Sequence, residues 1–340
     1  MKALFIGGTG TVSSAITSSL LEQGCELYLL NRGTRNASLP EGARLLQGDI
    51  HDETQVSSLL EGHEFDVVVD FIAFDRKDVE RDFRLFQGKT RQYIFISSAS
   101  AYQKPLSDYR ITEGTPLANP YWEYSRNKID CEHYLMTQYR EQGFPVTIVR
   151  PSHTYSERSI PLGVSGAKGS WQVAKRMLNH QPVIIHGDGT SLWTMTHSSD
   201  FAKGFIGLMG NIHAIGEAVN ITSDETVTWN QVYSIVADAL GVPLKAVYVP
   251  SEFLAACGGA KDYRGGLLGD KAHSVVFDNA KLKRLVPGFV ATTRLDQGIR
   301  RTVQHILEHP ELQTEDPEFD VWCDKVISAL EVAVNTVRGK

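Results

Sequence analysis

Tyr124 and Lys128 stand four residues apart in Tyr124-Ser-Arg-Asn-Lys128, the single Y-x-x-x-K of the chain. On a helix that spacing sets both side chains on one face. An ammonium beside a phenol stabilises the phenolate and is expected to pull its pKa down from about 10. A phenol tuned in this way can give or take the proton of a C–OH or C=O group while a hydride moves at the same carbon. A tyrosine on a helix is otherwise simply half-buried packing. What distinguishes Tyr124 is a second segment, Ile94-Phe-Ile-Ser-Ser-Ala-Ser-Ala-Tyr102, an apolar run that ends in hydroxyls. Ser97, Ser98 and Ser100 are candidates to hold a substrate oxygen, and Ser98 is the choice. Groups that act on ligands in open α/β sheets gather at such carboxyl ends of strands.

A hydride needs a carrier, and the N-terminus offers a place for one. Ile6-Gly-Gly-Thr-Gly-Thr-Val-Ser13 joins an apolar strand to an amphipathic helix. Gly7 and Gly10 allow a tight turn and close approach of a pyrophosphate, with Thr9, Thr11 and Val12 beside it. The helix N-terminus then presents free N–H groups to the anion. Ser13 stands where a third glycine is expected. About 20 residues on, where a carboxylate would bind a ribose 2′-hydroxyl, the chain has Asn31-Arg32, with Arg35 close behind. A guanidinium clamps a 2′-phosphate, so NADP is favoured over NAD. Asp49, after the third strand, is a candidate for the adenine edge or equally a turn or cap residue, and Ile50 beside it is a candidate cofactor contact.

The elements that must position these groups follow from the apolar pattern. Strands are expected at 3–6, 27–30, from 45, 67–72, 93–96 and 146–149, and helices at 13–23 and 54–60. Strands that are apolar throughout belong to a sheet covered on both faces. Alternation of strand and helix implies right-handed crossovers. The reading is an α/β protein: a Rossmann-type doubly wound parallel sheet with a smaller C-terminal α/β substrate lobe. Residues 1–150 form the dinucleotide-binding domain, joined by later segments near 187–210. Residues 151–310 are mainly the lobe, and 311–340 a helical tail. Residues 152–170, rich in Gly, Ser and Pro, read as loop. Further helices are expected at 171–178, 199–209, 229–240, 295–309 and 319–337.

Composition narrows the class. The chain has 340 residues, is 42% hydrophobic and carries a net charge of −6. An acidic balance disfavours nucleic acid as a partner. Four cysteines, none in a C-x-x-C pair, read as thiols of a reducing compartment rather than a metal site or disulfide framework. No apolar run approaches a membrane span, and the expected location is the cytoplasm.

Taken together the motifs resemble the extended short-chain dehydrogenase/reductases, the NAD-dependent epimerase/dehydratase family. The resemblance rests on Gly7-Gly-Thr-Gly10, Gly48-Asp49, Ser97-Ser98, Tyr124-x-x-x-Lys128, Arg150-Pro151, Gly187-Asp-Gly189, His197-x-x-Asp200, Phe277-Asp278-x-x-Lys281 and Gly298-Ile-Arg300. It implies Tyr124 as acid/base, Lys128 as the residue that orients the cofactor ribose, and Ser98 as the group that aligns the substrate. It further implies that Phe71-Ile72-Ala73 borders the cofactor and that Pro151 to His153 lies near the nicotinamide. A homodimer through the Tyr–Lys helix is implied as well. Departures limit the substrate. Trp193 stands where nucleotide-sugar enzymes have a diphosphate-binding arginine, and Ala99-Ser100 replaces the acidic pair of sugar dehydratases. Similar sequences include plant chloroplast RNA-binding proteins. The expected activity is hydride transfer at a secondary alcohol or ketone of a small, sugar-like molecule, as reductase or epimerase. The alternative is a non-catalytic dinucleotide- or RNA-binding scaffold. Ser100, Tyr155, Arg158 and Trp193 are the candidate substrate contacts, with His186 a weaker one and His197 read as structural.

Overall fold

The computed structural model describes residues 1–33, 39–259 and 261–339. Among them, a seven-stranded sheet is built from β1 (Lys2–Ile6), β2 (Glu26–Asn31), β3 (Arg44–Gln47), β4 (Val67–Asp70), β5 (Tyr93–Ile96), β6 (Val146–Pro151) and β7 (Ala218–Ile221). Its order is β7-β6-β5-β4-β1-β2-β3, and every pair is parallel. The order reverses at β1, where chain direction leads first to β2 and β3 and then back to β4. A crevice opens at such a switch point, outside the strand carboxyl ends. The seventh strand had no counterpart in the sequence reading, because Asn220 breaks the apolar run of Ala218-Val-Asn-Ile221.

Four helices matter for the crevice: α1 (Thr11–Glu22), α2 (Glu53–Leu59), α3 (Arg76–Phe86) and α4 (Glu123–Gln142). One sheet face packs Ile16 and Leu20 of α1 with Phe201 and Phe205 of the helix Ser198–Leu208. The other packs Val56 of α2, Val79 and Phe86 of α3, and Cys131 and Leu135 of α4. Burial on both faces explains why Val67-Val-Val and Tyr93-Ile-Phe-Ile are apolar without alternation. Asp75 starts α3 by accepting from the Lys77 and Asp78 N–H groups. Gly143, in the left-handed conformation, ends α4.

β4 stops at Asp70, two residues before the sequence reading placed its end. The Asp70 carboxylate turns back to accept from Ile72 N at 2.6 Å and pairs with Arg81 at 3.1 Å. Arg81 also holds Asp82, which accepts from the Tyr93 hydroxyl at 2.6 Å. This buried network ties β4, β5 and α3 together beneath the crevice. Burial pushes the Asp70 carboxyl well up, with Asp82 adding to the effect and Arg81 opposing it.

The remaining elements surround a second core that contains Trp193, Met195, Trp229, Val232 and Tyr233. The segment read as loop contains a strand, His153–Tyr155, which pairs with Leu192–His197, itself paired with Thr226–Thr228. The C-terminal helix Pro317–Arg338 buries Phe319, Cys323 and Val326 against this core, and Arg176 bonds Asp320 and Asp324 on it. No helix among the described residues is long and apolar enough to cross a membrane.

Candidate active site

Two cavities open at the carboxyl ends of the strands. The first, about 630 Å³, is lined by Gly7, Thr9, Asn31, Arg32, Asp49, Ile50, Ile72 and Phe74, among others. Its floor is the turn after β1. Gly7 and Gly8 have φ of +92° and +91°, a region that L side chains rarely adopt. A Cβ at Gly7 would stand 3.1 Å from Ile72 Cγ2, and one at Gly8 3.0 Å from Leu29 Cδ2. Gly7 therefore keeps its backbone open to the cavity beside Ile72, while Gly8 lets the turn pack closely on Leu29 and Phe5 of the core. Ser13 fills the place of the expected third glycine usefully: it is buried, and its Oγ accepts from Gly10 N at 2.8 Å, closing the first turn of α1. Ile72 and Phe74 are 40% and 52% exposed on the cavity rim, an apolar edge of the kind that ligand sites present.

The second cavity is smaller, about 270 Å³. It is lined by Ser98, Ser100, Lys104, Trp122, Tyr124, Pro151, His153, Trp193, Asp270, Lys271 and Phe277, among others. Lys128 sits between the two. Its Nζ donates to the carbonyls of Ala73 at 2.6 Å and Ile96 at 2.7 Å. It lies 4.9 Å from the centre of the Phe74 ring, which lines the first cavity, and 5.8 Å from that of Tyr124, which lines the second. Burial lowers the Lys128 ammonium to about 8, against the pull of Cys131, Asp70 and other groups.

The direction for Tyr124 corrects the sequence reading. Its phenol is pushed up, not down: burial dominates, and the Ser98 hydroxyl only partly offsets it. Lys128 directs its protons to two backbone carbonyls instead of toward the phenol.

The hydroxyls on the strand end form a relay. Ser125 Oγ donates to Ser100 Oγ at 2.7 Å, and Ser100 Oγ lies 2.8 Å from Ser98 Oγ. Ser98 Oγ also accepts from Ser100 N at 3.2 Å. With Ser100 passing its proton to Ser98, the Ser98 hydroxyl keeps its own proton for an oxygen in the cavity. The buried Arg150–Glu132 pair supports this end of the sheet: Ser97 Oγ donates to Glu132, and Arg150 donates to the Tyr102 hydroxyl at 3.0 Å. Asn119 donates to Ser100 O at 2.8 Å and to Gly269 O at 2.7 Å, fixing the approach to α4.

Several nominated residues sit elsewhere. Phe71 packs on Phe5 and Phe205, at 5.1 and 6.0 Å between ring centres, and does not line the first cavity. Ala73 contributes its carbonyl to Lys128, not a surface to the cavity. Gly10, Thr11 and Val12 form the start of α1 outside the cavity wall, with Val12 against the core. Tyr155 points into the lobe core, where a Cβ on Gly298 would meet its hydroxyl at 1.9 Å. Arg158 is exposed and away from both cavities. His186 is buried against Trp229, 5.0 Å between ring centres, and its Nε2 lies 3.1 Å from Lys271 O. His197 caps the helix Ser198–Leu208, its Nδ1 2.8 Å from Ser199 Oγ. Arg35 lies outside the described residues. The sequence reading missed Lys104, Trp122, Asp270 and Lys271, whose types carry no motif and which long separations in the chain bring together.

The profile of the NAD dependent epimerase/dehydratase family matches residues 3–88 and 84–222. The chain belongs to this family of NAD-dependent enzymes. Among curated proteins it is 26% identical to the 2′-dehydrokanamycin reductase of Streptomyces kanamyceticus over 85% of this chain and 80% of that protein. It is also 27% identical to the chloroplast stem-loop binding protein of 41 kDa b of Arabidopsis thaliana, over 74% and 67%. Its fold is that of the UDP-glucuronic acid 4-epimerase from Bacillus cereus, solved with UDP-glucuronic acid and NAD: TM-score 0.72, 20% identity, 91% and 99% coverage.

Proposed function

We propose that this family member transfers hydride between a nicotinamide dinucleotide, NADP in preference to NAD, and a secondary alcohol or ketone of a small substrate, with Tyr124 as acid/base. The observation that carries the reading is the placement of Lys128 between two cavities, one a glycine-floored crevice and the other lined by Tyr124 and Ser98. The first cavity fits a dinucleotide: Gly7 leaves room beside Ile72 that a Cβ would crowd, and Ile72 and Phe74 offer apolar faces to a ring. Gly7, Thr9, Arg32 and Asp49 would hold it. When bound, a nicotinamide dinucleotide supplies or accepts the hydride.

The remaining steps belong to the chain. Ser98 donates to the substrate oxygen and Tyr124 exchanges a proton with it. A phenol held up by burial is protonated at neutral pH, the form that a reduction requires. Trp122, Trp193 and Phe277 pack the substrate and exclude water. A volume of about 270 Å³ is at the small end for ligand sites, and Trp193 gives no charge for a diphosphate. Both support a substrate without a nucleotide. The reductase from Streptomyces kanamyceticus supports the same direction. As in the sequence reading, the protein acts as a homodimer through α4 in the cytoplasm.

Incubation with 4-deuterated NADPH and a panel of small hydroxyketones and sugars tests the reading. A reductase consumes the dinucleotide and leaves deuterium in the product. An epimerase interconverts stereoisomers without net consumption. The chloroplast relative favours a second reading, an RNA-binding scaffold. Retention of a stem-loop RNA by the protein, with no turnover on the panel, would establish that reading instead.

A further inference from the structure

The substrate cavity carries more positive than negative charge on its wall. Lys104 is 3% exposed and lines the cavity with Tyr124 and Ser98. Lys104 also borders a neighbouring cavity lined by Gln103, Asn119, Arg126 and Asp130, but the carboxylate whose charge acts on it is Asp270 of the substrate cavity. Among the described residues Lys104 Nζ has no hydrogen-bond or ion-pair partner; only its backbone is tied, with Lys104 N donating to Ala118 O at 2.8 Å. Asp270 is the one carboxylate on the cavity wall, and it is shared with Lys271, whose Nζ lies 3.6 Å from Asp270 Oδ2. The third ionisable neighbour, His153, is held neutral by burial, its imidazole lowered to about 3. The wall thus carries two ammonium groups against one carboxylate.

Buried lysines are rare unless paired, because an ammonium without a partner loses its hydration for nothing. Burial lowers the Lys104 ammonium and Asp270 only partly restores it. Retaining it beside the proposed proton-transfer group is reasonable if a ligand brings the missing charge. We propose that Lys104 is the anion-binding residue of the substrate cavity, and that the alcohol or ketone turned over there carries a compact anionic group, a carboxylate or a phosphate monoester. This rests on the second cavity being the substrate site. It goes further by naming the substrate's charge and the residue that selects it.

The probes are acetate and inorganic phosphate, each titrated at constant ionic strength into the protein with and without saturating NADP. Trp122 and Trp193 on the cavity wall report binding by fluorescence. One of the two anions is expected to give a saturable change, and which one does so tells carboxylate from phosphate. In Lys104→Met its Kd should rise about ten-fold or more, the loss of a charge-assisted hydrogen bond. Lys104→Arg should stay near the wild type, and the Kd for NADP should be unchanged in both. No saturable response to either anion, or a Lys104→Met protein that responds like the wild type, overturns the proposal. Failure of NADP to bind while the anion response persists would defeat the cofactor assignment and leave Lys104 standing.

Discussion

The two cavities are built in different ways. The first is made of residues at and just beyond the ends of β1, β2, β3 and β4, around a bare glycine turn and with an exposed apolar rim. The second is made of side chains drawn from positions 98 to 277, held by buried pairs such as Arg150–Glu132 and by Asn119. A backbone cradle tolerates side-chain changes around it. A side-chain cavity depends on each strut, so substitutions far from the proposed chemistry should damage the second cavity more than the first.

The largest expected effect comes from removing one of those struts. Glu132→Leu leaves Arg150 charged and buried, and should cost about 3–5 kcal/mol of stability, read as a lower urea midpoint. The residual folded protein should lose turnover more than NADP affinity. Equal loss of both would mean that the two cavities are not separately supported. A smaller effect is expected at the rim of the first cavity. Arg32→Ala should raise the Kd for NADP by about ten-fold through loss of a charged contact to the 2′-phosphate while leaving that for NAD near the wild-type value. Equal Kd changes would remove the basis for NADP preference.

Acid should separate the regions more gently. His153 on the second cavity and His186 behind it are lowered by burial from 6.5 to about 3 and about 4. Their imidazoles are neutral in both folded and unfolded chains above pH 6.5. Below that the unfolded chain binds more protons, so stability falls as pH drops from 6.5 toward 4 and 3. His186→Gln should flatten part of this slope, measured as melting temperature against pH. An unchanged slope would show that His186 is not buried neutral.

Legibility in the sequence follows the same division. Gly7, the apolar strands and the Tyr124–Lys128 spacing are local signals: Gly7 lies on the first cavity, Tyr124 on the second, and the apolar runs form the central sheet. Ala218–Ile221 was invisible because Asn220 interrupts its apolar run, and His153–Tyr155 because it lies in a stretch rich in Gly, Ser and Pro. Lys104 and Lys271 were invisible because burial and cavity lining are tertiary properties. The expected direction of the Tyr124 shift failed for a physical reason: spacing gives proximity to an ammonium, but not how strongly burial opposes ionisation or where that ammonium sends its protons.

The central claim is tested most directly by Tyr124→Phe, which removes one oxygen from the wall of the second cavity. NADPH oxidation should be followed on the best ketone of the panel, beside NADPH affinity by fluorescence. The account predicts a loss of about 10²–10⁴ in turnover with NADPH affinity unchanged. Turnover equal to the wild type would contradict it.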